Sequence, residues 1–200
     1  MSPRPRKVSD EEIFAATYRA MTRLGPGELT LAEIAAEAGV TAGALSQRFG
    51  SKRQLLLDLA EGAAASAGDF IRELGTAHRS PLAAIREYAE CLAHLAASPS
   101  ALARNLAYLQ IDLADPDFRK HLEIQARATR DGIEALLTAA IAAGELARST
   151  DARALARTVD VMLSGSLMTY ATYRDGTAVK WLRDNCDMVL APYLRKKKRK

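Results

Sequence analysis

Three consecutive side chains, Ser46, Gln47 and Arg48, carry hydrogen-bonding groups suited to nucleic acid, Ser46 to phosphate and the other two to base edges. An arginine presents two donors that match guanine O6 and N7. A glutamine presents the donor and acceptor that match adenine N6 and N7. Four nearby cations, Lys52 and the Arg4, Arg6 and Lys7 of the first few residues, suit phosphate oxygens, which fix register without reading sequence. Other chemistry is hard to find. His78, His94 and His121 lie far apart and form no H-x-x-x-H ligand pair. There is no Gly-rich phosphate loop, and Ser164-Gly165-Ser166 is only superficially like a nucleophile turn. Cys91 and Cys186 form neither a metal spacing nor a disulfide framework. Cys91, beside Leu92 and Leu95 on a helix, reads as a small buried hydrophobe. The expectation is a protein that binds, with no enzyme activity, metal or cofactor.

The elements that position Ser46–Arg48 are legible in the stretch from Thr30 to Lys52, TLAEIAAEAGVTAGALSQRFGSK. Thr30 and Glu33 have the capping-box spacing, in which a hydroxyl and a carboxylate satisfy free N–H groups at a helix start. Gly39 supplies the left-handed residue that ends helices. Thr41 is a second N-cap, opening a short helix from Ala42 to about Arg48. Two helices joined by so tight a turn form a helix-turn-helix. Ile34, Ala35, Ala38, Val40, Leu45 and Phe49 lock the pair, while Ala42, Gly43 and Ala44 keep the second helix slim enough for a major groove roughly 12 Å wide.

On these residues, LTLAEIAAEAGVTAGALSQRFGSKRQLL, the chain resembles the tetracycline-repressor (TetR) family of bacterial regulators across about residues 8–58. The family usually has an aromatic, most often Tyr, where this chain has Ser46, and often His where it has Arg48. The resemblance implies a palindromic double-stranded DNA operator, a homodimer, a small-molecule effector and, most often, repression. It assigns Thr41, Ala42, Gly43, Ser46, Gln47, Arg48 and Lys52 to DNA; Arg4, Arg6 and Lys7, spaced by Pro3 and Pro5, read either as an accessory arm on the DNA or as a disordered start that aids solubility.

Bulk properties agree with an all-α protein. Aromatic residues make up 6% and apolar residues 48%, with abundant alanine. The sequence lacks an apolar run of about 18 residues and an N-terminal apolar signal, so a cytoplasmic protein with no membrane partner is expected. Residues 1–53 carry a balance of +2, residues 54–194 a balance of −4, and the run from Arg195 to Lys200 adds +6. Positive charge at the ends of an acidic body fits a protein that meets phosphate with one part only.

Caps and periodicity predict about nine helices. Ser9 with Glu12 opens the first, to about Leu24, and Ser51 with Gln54 opens a long one from Lys52 to about Leu74. The long helix should bury Leu55, Leu56, Leu59, Ala63, Ala67, Phe70 and Leu74, followed by a loop from Gly75 to Arg79. Later helices are expected near 81–97, 100–113, 116–143, 151–173 and 177–193, several opened by Ser-Pro or Asp-Pro. This gives an N-terminal arm and helix-turn-helix domain over 1–53, an effector and dimerisation domain over 54–194, and a basic tail over 195–200.

The resemblance places an effector among the middle helices, where Tyr88, Cys91, His94, Asn105, Leu106, Leu109, Phe118, Gln125, Met162, Ser166 and Tyr170 interleave polar with apolar groups. Two apolar terminal helices suit a four-helix bundle across a two-fold axis. Their expected dimer contacts are Leu155, Val159, Met162, Leu163, Leu167, Trp181, Met188 and Val189. The alternative is a helical ligand-binding protein or dimeric adaptor that does not bind DNA.

Overall fold

Capping side chains mark where the helices begin. The computed structural model describes residues 8–195, and among these it contains nine α-helices. They are α1 (Asp10–Arg23), α2 (Leu31–Ala38), α3 (Ala42–Phe49), α4 (Lys52–Ala77), α5 (Pro81–Ala93), α6 (Pro99–Ala114), α7 (Pro116–Ala142), α8 (Ala152–Tyr173) and α9 (Ala178–Leu190). Short 3₁₀ turns follow α5 (His94–Ala96) and α9 (Ala191–Tyr193). The fold class is all-α. The expected arm residues Arg4, Arg6 and Lys7 and the tail beyond Arg195 lie outside the described residues.

At α1 both halves of the box are made: Ser9 N donates to Glu12 Oε2 at 2.8 Å, and Glu12 N donates to Ser9 Oγ at 3.1 Å. Thr30 and Thr41 each accept from a backbone N–H three residues on, at 3.1 Å. At α4 the box is half made. Ser51 Oγ accepts from Gln54 N, but the Gln54 side-chain amide donates to Asp58 at 2.7 Å.

Helix α4 departs from expectation in two ways. It runs through Gly75 to Ala77, where a loop was expected. A Cβ at Gly75 would lie 2.8 Å from Leu136 Cδ2, so this glycine admits a neighbouring side chain rather than ending the helix. The helix also turns Leu57, Ala64, Ala67, Ile71 and Leu74 inward, while Phe70 is 42% exposed. Ile71 lies directly over Gly132, which draws the buried face round from Ala63 and Phe70.

The chain forms two compact units. The first takes the described residues to Gly62 together with Ala103–Lys120. Its core joins Ile13, Ala20, Leu29, Ile34, Leu45, Phe49, Leu55 and Tyr108. The second takes Ala63–Leu102 and the described residues from His121 onward. There α5, α8 and α9 pack together around Ile85, Leu155, Val159, Leu163, Leu182, Cys186 and Leu190, none more than 1% exposed. Residues 54–62 and 103–120 thus group with the N-terminal helices. At the other end, Arg195 N donates to Glu145 O at 2.9 Å and Ala147 N to Tyr193 O at 2.8 Å. Arg195, expected to begin a solvated tail, is held by its backbone.

Candidate nucleic-acid interface

Gly39 adopts φ +67°, and Val40 N donates to Ala35 O at 3.0 Å, closing α2 and turning the chain into Thr41. Leu45 and Phe49, four residues apart on α3, are 1% and 8% exposed and seat the helix on the core. Burying two such side chains contributes about 1.5–3 kcal/mol each. The opposite side of α3 is then turned outward. Thr41, Gly43, Ala44, Ser46 and Gln47 are exposed, and Ala42 is half-buried against the core. No Cβ-sized obstruction closer than Thr41 Oγ1, at 3.9 Å, surrounds Gly43. The residues read as a base-contacting edge are therefore brought together on one short exposed helix face.

Two expected contacts have other partners. Arg48 Nη1 donates to Val8 O at 2.7 Å, and Nη2 forms an ion pair with Asp10 Oδ1 at 2.5 Å that lacks hydrogen-bond alignment. Its guanidinium also lies over the Phe49 ring, 5.8 Å from the centroid. Lys52 Nζ donates to Leu29 O at 2.6 Å and Pro26 O at 3.1 Å, partly buried. A lysine at a helix start reads as a phosphate ligand, but here two of its three donors hold the loop between α1 and α2.

The same loop is fastened from α6. Tyr108 OH donates to Leu24 O at 2.9 Å, and Arg104 Nε donates to Thr22 O at 3.0 Å. These groups satisfy carbonyls at the end of α1 that have no helical partner. Burial pushes the Tyr108 hydroxyl up to about 12. Neither Leu29, fully buried, nor Tyr108 was foreseen, because each contact spans a long stretch of sequence. Glu37 of α2 pairs with Arg19 at 2.8 Å and with Arg23, clasping α2 to α1. The Arg19 hydrogen bond, helped by the Arg23 charge, holds Glu37 below the usual carboxylate range. Arg53 contacts Asp115 at 2.7 Å and Asp117 at 2.8 Å and lies over the Phe118 ring, 5.6 Å from its centroid.

The expected effector residues are divided between the units. Asn105, Leu106, Leu109 and Phe118 belong to the first. Phe118 is 6% exposed. The other seven belong to the second, where His94 and Gln125 are exposed. Ser166 Oγ donates to Met162 Sδ at 3.4 Å. Tyr170 packs on Trp181 with centroids 6.5 Å apart. The Tyr88 hydroxyl is pushed up to about 12, chiefly by burial and then by the charges of Asp160 and Cys91, with Thr129 bonding to it. Thr129 and Asp160 join this polar group without having been singled out in the sequence. Burial also lifts Asp160 itself, opposed by Arg130. Burial raises the Cys91 thiol, against any role as a reactive thiolate.

A groove of about 550 Å³ in the second unit is lined by Gly68, Ile71, Gly75, Gly132 and Leu136, among others, and includes none of the expected effector residues. A smaller cavity of about 100 Å³ includes Tyr170, with Leu102 and Arg174. Among the described residues, no cluster of three or more His, Cys, Asp or Glu could hold a metal, and no helix is long and apolar enough to cross a membrane.

The expected dimer contacts on α8 need correction. Leu155, Val159, Leu163 and Leu167 are 1%, 0%, 1% and 8% exposed, all turned into the chain's own core. Their four-residue spacing traced the intramolecular face. The outward apolar residues of α8 and α9 include Val161 (64%), Met168 (41%), Tyr173 (64%), Val179 (36%) and Met188 (69%). Met162, Trp181 and Val189 are half-buried.

Comparison with known proteins places these features. Residues 13–59 match the family described as "Bacterial regulatory proteins, tetR family". Residues 105–186 match "Tetracyclin repressor-like, C-terminal domain". No curated protein matches the chain. Among solved structures, a TetR transcription regulator from Haloarcula marismortui has 20% identity and a TM-score of 0.71, covering 92% of this chain and 97% of that one. SmeT, the repressor of the Stenotrophomonas maltophilia multidrug efflux pump SmeDEF, has 21% identity and a TM-score of 0.65, covering 95% and 92%. FadR from Bacillus subtilis, solved in complex with stearoyl-CoA, has 15% identity and a TM-score of 0.65, covering 92% and 98%.

Proposed function

Because the chain belongs to the TetR family of bacterial regulatory proteins, and so is a DNA-binding transcription regulator, we propose that it acts as an effector-responsive repressor working in the cytoplasm. In this reading a homodimer occupies a palindromic operator. The observation that carries it is the outward edge of α3, with Thr41, Gly43, Ser46 and Gln47 exposed over a seat formed by Leu45 and Phe49. Gln47 is the candidate base reader, and Thr41 and Ser46 contact phosphate. The arm of Arg4, Arg6 and Lys7 adds further phosphate contacts.

Dimerisation is supported by the apolar residues that α8 and α9 leave outside, Val161, Met168 and Met188, and by the open surface at Gly165. Two copies joined there present two recognition helices to two half-sites. The effector reading is supported by the character of the relatives. One represses a multidrug efflux pump, and another was solved with stearoyl-CoA bound. An effector preferring the form with misplaced recognition helices must weaken operator binding by the same factor. A coupling of about 1–3 kcal/mol corresponds to 5–150-fold. Helix α4, continuous from Lys52 to Ala77, contributes residues to both units and is the element through which such a bias is transmitted.

Selection of bound sequences from random duplex DNA tests this reading. Enrichment of a two-fold-symmetric site is expected. Salt-dependent binding without any enriched sequence would overturn the operator reading.

A further inference from the structure

Arg48 is exposed on α3, and its guanidinium is engaged by the start of α1. Helix α3 is eight residues long and rests on Leu45 and Phe49. Successive residues lie about 100° apart around a helix. Two buried contacts one turn apart therefore fix the position of α3 but resist rolling about its own axis only weakly. Arg48 lies off that line of contact. It reaches back to the start of α1, bonding Val8 O at 2.7 Å and meeting Asp10 Oδ1 at 2.5 Å. That oxygen is shielded from solvent and has no aligned hydrogen bond, so the guanidinium beside it is its compensating charge. The other end of this tether is rigid as well, because Ser9 and Glu12 close the capping box between Val8 and the body of α1.

We propose that Arg48 is a positioning residue for operator recognition, which sets the roll of α3 and leaves base reading to Gln47 on the exposed edge. The magnitude of the lever supports this. A roll of 20° moves a side-chain tip roughly 5–6 Å from the axis by about 2 Å, enough to break a hydrogen bond to a base. Asp10, Glu11 and Glu12 make the first turn of α1 acidic. Arg48 thus also offsets negative charge beside a surface meant for phosphate. The inference rests on the DNA-binding reading of α3.

The test compares R48A, R48K, D10N and the R48A/D10N double variant, measuring affinity for the selected duplex, base preference and melting temperature. Work at physiological ionic strength limits long-range charge effects, since the Debye length is about 8 Å. R48A and D10N are both expected to weaken binding, R48A by roughly tenfold. The double variant should be no weaker than R48A within about twofold, because both changes cut one tether. Base preference should weaken only at the base pair that Gln47 reads and keep its pattern elsewhere, and R48K should recover part of the affinity. An arginine that reads a base gives the opposite sign: D10N releases it and tightens binding, while R48A erases preference at a base pair that Gln47→Ala leaves unchanged. Either result overturns the assignment. So does a fall in melting temperature with DNA affinity unchanged, the mark of a purely structural pair. If the wild type selects no sequence, the DNA-binding reading itself falls. If it does and R48A erases preference at a base pair that Gln47 does not read, only the role of Arg48 falls.

Discussion

Replacing Lys52 with alanine separates a structural lysine from a phosphate ligand. Its Nζ donates to Leu29 O at 2.6 Å and Pro26 O at 3.1 Å. Hydrogen bonds from a charged group contribute about 1.5–3 kcal/mol each when well sheltered. This site is only partly buried, and water can replace part of what is lost. A net cost of about 2 kcal/mol for the pair follows. At roughly 2–4 °C per kcal/mol for a chain of this length, the melting midpoint should fall by about 4–8 °C. The assay is thermal unfolding without DNA, paired with a salt titration of operator affinity well below the melt. A phosphate contact removed would flatten the salt slope by about one unit; here the slope should stay put while stability falls. Unchanged melting together with a flattened slope would refute the assignment and restore Lys52 to the DNA.

Three further outcomes follow. Gly132→Ala should destabilise the second unit by about 1–2 kcal/mol, because overpacking outweighs the helix preference for alanine: the new Cβ would lie 2.7–2.8 Å from Ile71. Gly75→Ala meets only the flexible end of Leu136 and should be nearly neutral, so equal costs in thermal melts would contradict the packing account. Burial raises the Asp112 carboxyl, so the folded state binds its proton more tightly than the unfolded one. Its stability penalty is present above the raised value and vanishes below the ordinary one, so Asp112→Asn should raise the midpoint at pH 7 and have little effect near pH 3; a pH-independent gain would argue against burial as the cause. Replacing exposed Val161 and Met168 with aspartate should leave folding intact but convert a dimer to monomers in sedimentation; dimers that persist would place the interface elsewhere.

The local part of this fold was written plainly in the sequence. Caps such as Ser9, Thr30 and Thr41 act within one turn, and Gly39 acts on its own backbone, so the helix-turn-helix could be placed nearly to the residue. What stayed hidden depends on contacts between distant residues. Ile71 turns inward because Gly132 makes room for it, and Gly75 continues α4 with the end of Leu136 lying beside it. The outward face of α8 was misread for a similar reason. A helix with apolar residues on two sides, at Leu155, Val159 and Leu163 and again at Val161 and Met168, does not declare which side its own chain will cover. Likewise, neither Arg48 nor Lys52 announces in sequence that its charge is spent on Val8, Asp10, Pro26 and Leu29.

The central claim is that the exposed edge of α3 meets base pairs. Its most direct measurement is the base preference of Gln47→Ala against the wild type. Gln47 is exposed and off the buried seat, so folding should be unaffected. The account expects preference to relax at one symmetry-related pair of positions, by about 1–3 kcal/mol of discrimination. A variant that selects the wild-type sequence with undiminished preference would contradict it.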